Sequence, residues 1–302
     1  MIRILAADGM EASAIAELQA KGYEVVNEHY EADELGKKLA DFDVIVVRSA
    51  TKVRVPVIDE AAAAGRLKLI IRGGVGVDNI DVSYAEEKGI TVRNTPAASS
   101  ASVAELTIGH MFSVARFIGI ANATMRSGQW NKKKYEGSEL AGKTLGLVGM
   151  GRIAREVAWR AEALGMKVIY TDVLGKIEGL PYEFLSLDEV LAKADYVSLH
   201  IPAAADKKPL IDAERIAQMK DGAILLNLAR GALIDTAALC DALDEGKLAG
   251  AALDVYPEEP VLDERLLGHP QISFTPHIGA ATKEAQTRIG AEIVDIISKF
   301  FA

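Results

Sequence analysis

Residues 143–172, KTLGLVGMGRIAREVAWRAEALGMKVIYTD, decide how this chain is read. Thr144–Val148 is a short apolar run that reads as a buried strand. It breaks into Gly149-Met150-Gly151, after which Ile153, Ala154, Val157, Ala158, Ala161 and Leu164 recur on one face of a 3.6-residue period. Gly165 stops that helix, and Lys167–Thr171 is a second strand ending on Asp172. Strand, glycine turn, helix, strand and terminal acid in register form the context that a dinucleotide fingerprint requires. Gly149 permits the tight turn, and Gly151 lets the backbone approach a pyrophosphate at the positive end of the helix. Ala154 takes the third glycine position, where helix meets strand and alanine is an accepted variant. Asp172 follows Gly151 by 21 residues, the spacing of an acid that binds an adenosine ribose diol. Val173 and Leu174 follow it rather than Arg, and a carboxylate repels a 2′-phosphate. The expected cofactor is NAD, not NADP.

The chain of 302 residues is long enough for two ordinary domains. Half of it is hydrophobic and a quarter charged, as in soluble proteins. A net charge of −9 argues against nucleic acid or anionic membrane as main partner, and requires a local basic cluster for any anionic substrate. The single Cys240 excludes an internal disulfide and fits a reducing compartment. The N-terminus opens directly into a strand, MIRILAA, and residues 104–123 read as one long buried helix carrying Glu105, His110 and Arg116. A cytoplasmic protein without a membrane span is expected. No Cys or His pair has metal-ligand spacing, so no metal is expected.

Residues 1–95 alternate strand runs (3–7, 24–27, 43–47, 67–71, 90–93) with helical stretches such as 12–21 and 32–40. After 143, further strands are expected at 196–201, 223–228, 250–255 and 272–275, with helices at 187–192, 212–219 and 236–245. This alternation calls for parallel sheets flanked by helices. A last helix, 283–300, carries Ile289, Ile293, Ile296 and Ile297 on one face and is expected to return to the first domain. The expected architecture is α/β, with two Rossmann- or flavodoxin-like doubly wound parallel-sheet domains. Residues 1–95 with 282–302 would form a discontinuous substrate-binding domain, and 96–281 the NAD-binding domain.

Chemistry-bearing residues gather at expected strand ends, where α/β folds place ligands. Strand 67–71 runs into Arg72, then Gly73, Gly74, Val75 and Gly76, whose amides can converge on a carboxylate. Strand 43–47 ends in Arg48. Three later strands end in Arg230, in the acidic turn holding Glu259, and in His277. A guanidinium can hold a 2-oxo acid in bidentate fashion, a histidine can exchange the proton, and a carboxylate can orient it. His200 also follows a strand, but its ring is expected to be structural.

Seven segments carry a resemblance across nearly the whole chain: VRSATKV (47–53), RGGVGVDNID (72–81), MRSGQWNKKKYEGSEL (125–140), GMGRIAREVA (149–158), LNLARGALID (226–235), GAALDVYPEEP (250–260) and TPHIGAATKEAQTR (275–288). On these the chain resembles the D-2-hydroxyacid dehydrogenase family, and the stretch around Trp130 resembles its phosphoglycerate branch. The resemblance implies that Arg230 binds the substrate carboxylate and carbonyl, that His277 is the acid/base, and that Glu259 is its partner. It implies a cofactor held by Arg152, Ile153 and Asp172, with Ile201, Leu228, Ala229, Asp254, Gly279 and Ala280 lining the nicotinamide side. Val75, Arg230 and His277 would touch it too. Gly74, Val75 and Gly76 would grip the substrate carboxylate. Arg48, Arg72 and Lys132 would face a substrate phosphate, Lys132 reaching across a homodimer formed through the NAD-binding domain. The implied activity is NAD-dependent oxidation of D-3-phosphoglycerate to 3-phosphohydroxypyruvate, which opens serine synthesis. The alternatives are a glyoxylate or hydroxypyruvate reductase and a non-catalytic, NAD-sensing corepressor-like protein. Residues 94–100, NTPAASS, depart from the family, with Ala97, Ala98 and Ser99 where relatives usually carry Asn, Gly and Asn. The chain also stops where many relatives continue into serine-binding regulatory domains, so insensitivity to serine is expected.

Overall fold

The structure, a computed structural model, describes all residues except 205 and 207. It divides into two compact units, Met1–Ser100 with Ala280–Ala302, and Ala101–Gly279. Two parallel-sheet α/β units are therefore present, as the alternating pattern requires.

The first unit is built on β1 (Arg3–Ala6), β2 (Glu24–Val26), β3 (Val44–Val47), β4 (Leu69–Arg72) and β5 (Thr91–Asn94), in the order β2-β1-β3-β4-β5. All neighbours pair in parallel. β3, VIVV, is buried along its whole length because helices cover both faces, so its sequence is continuously apolar rather than alternating. The strand order reverses between β1 and β3, the position at which such sheets open a ligand crevice. The expected last helix is Lys283–Phe300. It packs on Ala12–Ala20 within the same unit, where a Cβ on Gly290 would lie 2.8 Å from Ala14 Cβ, so the missing side chain sets the closeness of the two helices.

The second unit contains β6 (Thr144–Val148), β7 (Lys167–Thr171), β8 (Glu183–Phe184), β9 (Tyr196–Leu199), β10 (Ala223–Asn227), β11 (Leu248–Leu253) and β12 (Ile272–Phe274), ordered β12-β11-β10-β9-β6-β7-β8. Its order reverses between β6 and β9. Gly146 in β6 is a packing glycine. A Cβ there would lie 2.7 Å from Val190 and 2.8 Å from Ala194, so only glycine lets the Leu187–Lys193 helix lie this close.

The structure departs from expectation at three places. The single helix over 104–123 is two helices, Ser100–Ala115 and Ile118–Arg126, bent by 66°. The break has a tertiary cause: the Ala115 carbonyl accepts the Ser138 amide at 3.0 Å instead of continuing the helical ladder, and Phe117 takes a left-handed φ of 57°. The second of these helices buries none of its residues, and Ile118 and Met125 are about half exposed. Among the described residues no single helix is long and apolar enough to cross a membrane. The division between units falls at 100/101 and 279/280, not 95/96 and 281/282. Residues 95–99 are held to the first unit by Thr95 N–H on Gly74 O (3.1 Å) and by Arg288 Nε on Ala98 O (2.8 Å). Finally, the two-residue β8 carried no expectation, and the later strands end one or two residues earlier than their apolar runs suggest.

Candidate active site

The turn after β6 is shaped for a close backbone approach. Gly149 has φ +90°, and a Cβ on it would lie 2.6 Å from His200 O and 2.6 Å from Ile201 Cγ2, so no side chain is accommodated. Gly151 caps the Arg152–Ala163 helix with extended backbone, and nothing lies within 4 Å of its would-be Cβ. A glycine that faces open space at a helix N-terminus is a cradle that a side chain would fill. Asp172 accepts the Met150 amide at 2.8 Å through Oδ2 and the Leu174 amide at 2.9 Å through Oδ1, so it ties the glycine turn to the end of β7. Ala154 is fully buried against the sheet, Ile153 half-buried and Arg152 exposed. These features fit a dinucleotide with its pyrophosphate at the helix terminus and its adenosine ribose at Asp172.

On the other side of the reversal, Leu228 is buried and Ala229 half-buried after β10. Their turn is held by Asn227, whose amide nitrogen donates to Arg230 O at 2.8 Å and whose carbonyl accepts Ala229 N–H at 3.1 Å. Asn227 stands at the end of the apolar run LLN, where a polar residue in a buried strand is the only sequence signal of this role. His200 lies 2.9 Å from Ser198 Oγ, and burial pulls its pKa from 6.5 to about 4. The unfolded chain then takes up a proton between these values that the folded chain refuses. Stability should be full above pH 6.5 and drain as the pH falls toward about 4. His200→Gln should flatten the curve in that window, as read from urea midpoints across it.

The second unit brings Arg230, Glu259 and His277 together at the C-terminal ends of β10, β11 and β12. His277 Nδ1 lies 2.8 Å from Glu259 Oε2, and both side chains are 37 % exposed. Burial works to raise the Glu259 pKa. The hydrogen bond and charge of His277, the Tyr256 amide and the charge of Arg230 outweigh it, and the net direction is down. Glu259 is thus held as a carboxylate that can fix the ring and favour the Nε2 face for substrate. Tyr256, its hydroxyl on Thr275 O at 2.8 Å, is pushed up by burial to about 12 and stays protonated. An apolar cavity of about 370 Å³, lined by Val261, Leu267 and Phe274 among others, opens beside the pair.

His277 has φ +53°, rare for a residue with a side chain and costing about 1–3 kcal/mol. The surrounding turn imposes this conformation. Asp254, 1 % exposed, accepts the Thr275 hydroxyl (2.6 Å) and Ile278 amide (2.8 Å) on Oδ1 and the Gly279 amide (2.9 Å) on Oδ2. Asp254, expected to line the nicotinamide side, also grips the residues on either side of His277. Gly279 is buried against it.

The remaining expected residues belong to the first unit, apart from Lys132. In the first unit, Arg48 begins a loop clamped by Asp8, which accepts Arg48 N–H at 2.6 Å, Thr51 N–H at 3.1 Å and the Thr51 hydroxyl at 2.6 Å. Asn79 donates to Arg48 O (2.8 Å) and Thr51 O (2.7 Å). Asp8 lies just past the end of β1 and Asn79 in the turn before the Val82–Glu87 helix, with no local pattern that marks either as a clamp. Arg72 folds over its own glycine loop, with Nη1 3.3 Å from Gly73 O, and a Cβ on Gly74 would collide with its guanidinium. Gly74 and Val75 carbonyls accept the Thr95 amide and the Asn94 side chain, which fixes the loop whose amides run through Gly76. Ala280, half-buried, accepts from the Gln286 side chain at 2.8 Å. Lys132 sits exposed in the turn Lys132–Lys134 of the second unit.

The model of the D-isomer specific 2-hydroxyacid dehydrogenase NAD binding domain matches residues 108–279. The chain belongs to the D-isomer specific 2-hydroxyacid dehydrogenases. It is 49 % identical over 279 residues to the hydroxypyruvate reductase of Thermotoga maritima, covering 91 % of this chain and 90 % of that protein. With the D-3-phosphoglycerate dehydrogenase of Methanocaldococcus jannaschii it shares 46 % identity over 303 residues, 99 % of this chain but 57 % of that protein. The chain therefore spans little more than half the length of that relative. Among solved structures, a Thermus thermophilus protein superposes with a TM-score of 0.89 at 39 % identity, covering 97 % of this chain and 94 % of its own. The D-lactate dehydrogenase of Aquifex aeolicus, complexed with NAD and lactic acid, gives 0.85 at 31 % identity, with 99 % and 95 % covered. This family's domain binds NAD, in agreement with the reading of residues 143–172.

Proposed function

We propose that this dehydrogenase interconverts a D-2-hydroxy acid and its 2-oxo acid, with D-3-phosphoglycerate and 3-phosphohydroxypyruvate as the pair. The observation that carries the reaction class is the 2.8 Å Glu259–His277 pair beside Arg230 at the strand ends of an NAD-binding unit. Bound NAD supplies the acceptor or donor of a hydride. Arg230 holds the substrate carboxylate and carbonyl. His277 gives a proton to the carbonyl oxygen during reduction and takes it from the hydroxyl during oxidation, while Glu259 stabilises the charged ring. We assign the amides of Gly74, Val75 and Gly76 to the substrate carboxylate, and Arg48, Arg72 and the Lys132 of a second subunit to its phosphate. A chain of net charge −9 needs such cations to receive a multiply charged anion. Identity of 46 % across 99 % of this chain to a D-3-phosphoglycerate dehydrogenase supports this substrate.

A second reading, reduction of hydroxypyruvate or glyoxylate, rests on the 49 % identity to a hydroxypyruvate reductase of which the chain covers 90 %. The two readings differ by one phosphate. Initial rates with 3-phosphohydroxypyruvate, hydroxypyruvate and glyoxylate decide between them: higher kcat/KM on the phosphorylated acid is expected, and a preference for either plain acid replaces the first reading by the second. We place the cofactor preference on Asp172. The double variant Asp172→Ser, Val173→Arg should move the ratio of catalytic efficiencies toward NADP by at least about tenfold, or about 1.4 kcal/mol. Equal use of both cofactors by the wild type would remove Asp172 from that role.

A further inference from the structure

His110, in the Ser100–Ala115 helix, is 3 % exposed and has no part in the chemistry above. Its Nδ1 lies 2.9 Å from Ser273 Oγ and its Nε2 2.9 Å from Thr275 Oγ1. The Thr275 hydroxyl has one proton, and that proton goes to Asp254 Oδ1 at 2.6 Å. Thr275 therefore meets His110 with a lone pair, and Nε2 must carry the ring proton. Burial lowers the His110 pKa against the opposing charge of Asp254, which suits a neutral ring with its single proton on Nε2. Asp254 in turn grips the Ile278 and Gly279 amides, and the Thr275 carbonyl accepts the His277 amide at 3.1 Å. An unbroken set of hydrogen bonds thus runs from His110 to the residues that impose φ +53° on His277.

We propose that His110 is a positioning residue for His277, holding the 275–279 turn through Thr275 and Asp254. The proposal rests on the acid/base role given to His277 above. Without the Nε2 donor, the Thr275 hydroxyl is no longer directed to Asp254, and the turn can relax toward ordinary backbone angles. A displacement near 1 Å at a reacting group costs up to about a hundredfold in rate.

The test compares His110→Leu, His110→Gln and His277→Gln in single-turnover oxidation of NADH by hydroxypyruvate, with steady-state KM values alongside. His110→Leu is expected to be about tenfold slower, with both KM values within about twofold of wild type, because the lost interaction serves the chemical step and not binding. His110→Gln keeps a donor and an acceptor at the site and should recover most of the rate. A His110→Leu enzyme with the wild-type rate and only a lower unfolding temperature overturns the proposal, as does a Gln variant no faster than Leu. If His110→Leu does not fold, Thr275→Val breaks the same connection, and the same slowing at unchanged KM is expected; a full rate there overturns it equally. A His277→Gln enzyme as fast as wild type would instead overturn the role of His277, and the proposal with it.

Discussion

Replacing His277 by Gln should lower kcat for 2-oxo acid reduction by two to about four orders of magnitude, the range that a positioned general acid contributes. Glutamine preserves hydrogen bonding to Glu259 but has no proton to give at neutral pH. The substrate contact proposed for Arg230 is untouched, so KM should change little, and the loss should appear in kcat and kcat/KM alike. The direction of reaction is immaterial, since the same nitrogen receives the proton in oxidation. Steady-state rates in both directions check this. A variant retaining more than about a tenth of the wild-type kcat would place the acid/base elsewhere.

Gly231→Ala should be the most damaging single methyl in the second unit. Its Cβ would fall within contact distance of the Tyr256 carbonyl and Pro257 nitrogen, backbone atoms that cannot rotate aside as a side-chain tip can. Gly231 has ordinary backbone angles, so the effect is purely steric. The loops after β10 and β11 must separate, and these carry Arg230 and Glu259. Overpacking against a fixed wall costs about 3 kcal/mol, visible as a lower urea midpoint. Displacing Arg230 should also reduce kcat/KM by about a hundredfold or more. Wild-type stability and activity together would mean that the two loops yield freely, contrary to the packing seen.

The dinucleotide unit was legible in the sequence because every part of it is local. An apolar run, a glycine pair, a 3.6-residue apolar period and an acid lie within one thirty-residue window. Each is dictated by short-range sterics or by the need to bury one face. The Lys283–Phe300 helix was legible for the same reason, its isoleucines marking the buried stripe. Arg230, Glu259 and His277 could be placed because each lies in the turn that follows an apolar strand, and parallel strands deliver their ends to one edge.

Tertiary structure alone decided the rest. The bend after Ala115 depends on an amide 23 residues further on, at Ser138. A helix reading of 104–123 meets neither proline nor glycine at the break, Arg116-Phe117, so no local signal marks it. Asp8 clamps a loop 40 residues away, and His110 meets Ser273 across 163 positions. Such bonds form between buried polar groups after the sheets have assembled, since burial makes an unpaired group costly. Two residues suffice for β8 only because β7 is already in place to pair with them. The chain's local patterns thus determined the elements and which of their ends carry chemistry. Which polar side chains hold those ends in working geometry followed only from the contacts that folding creates.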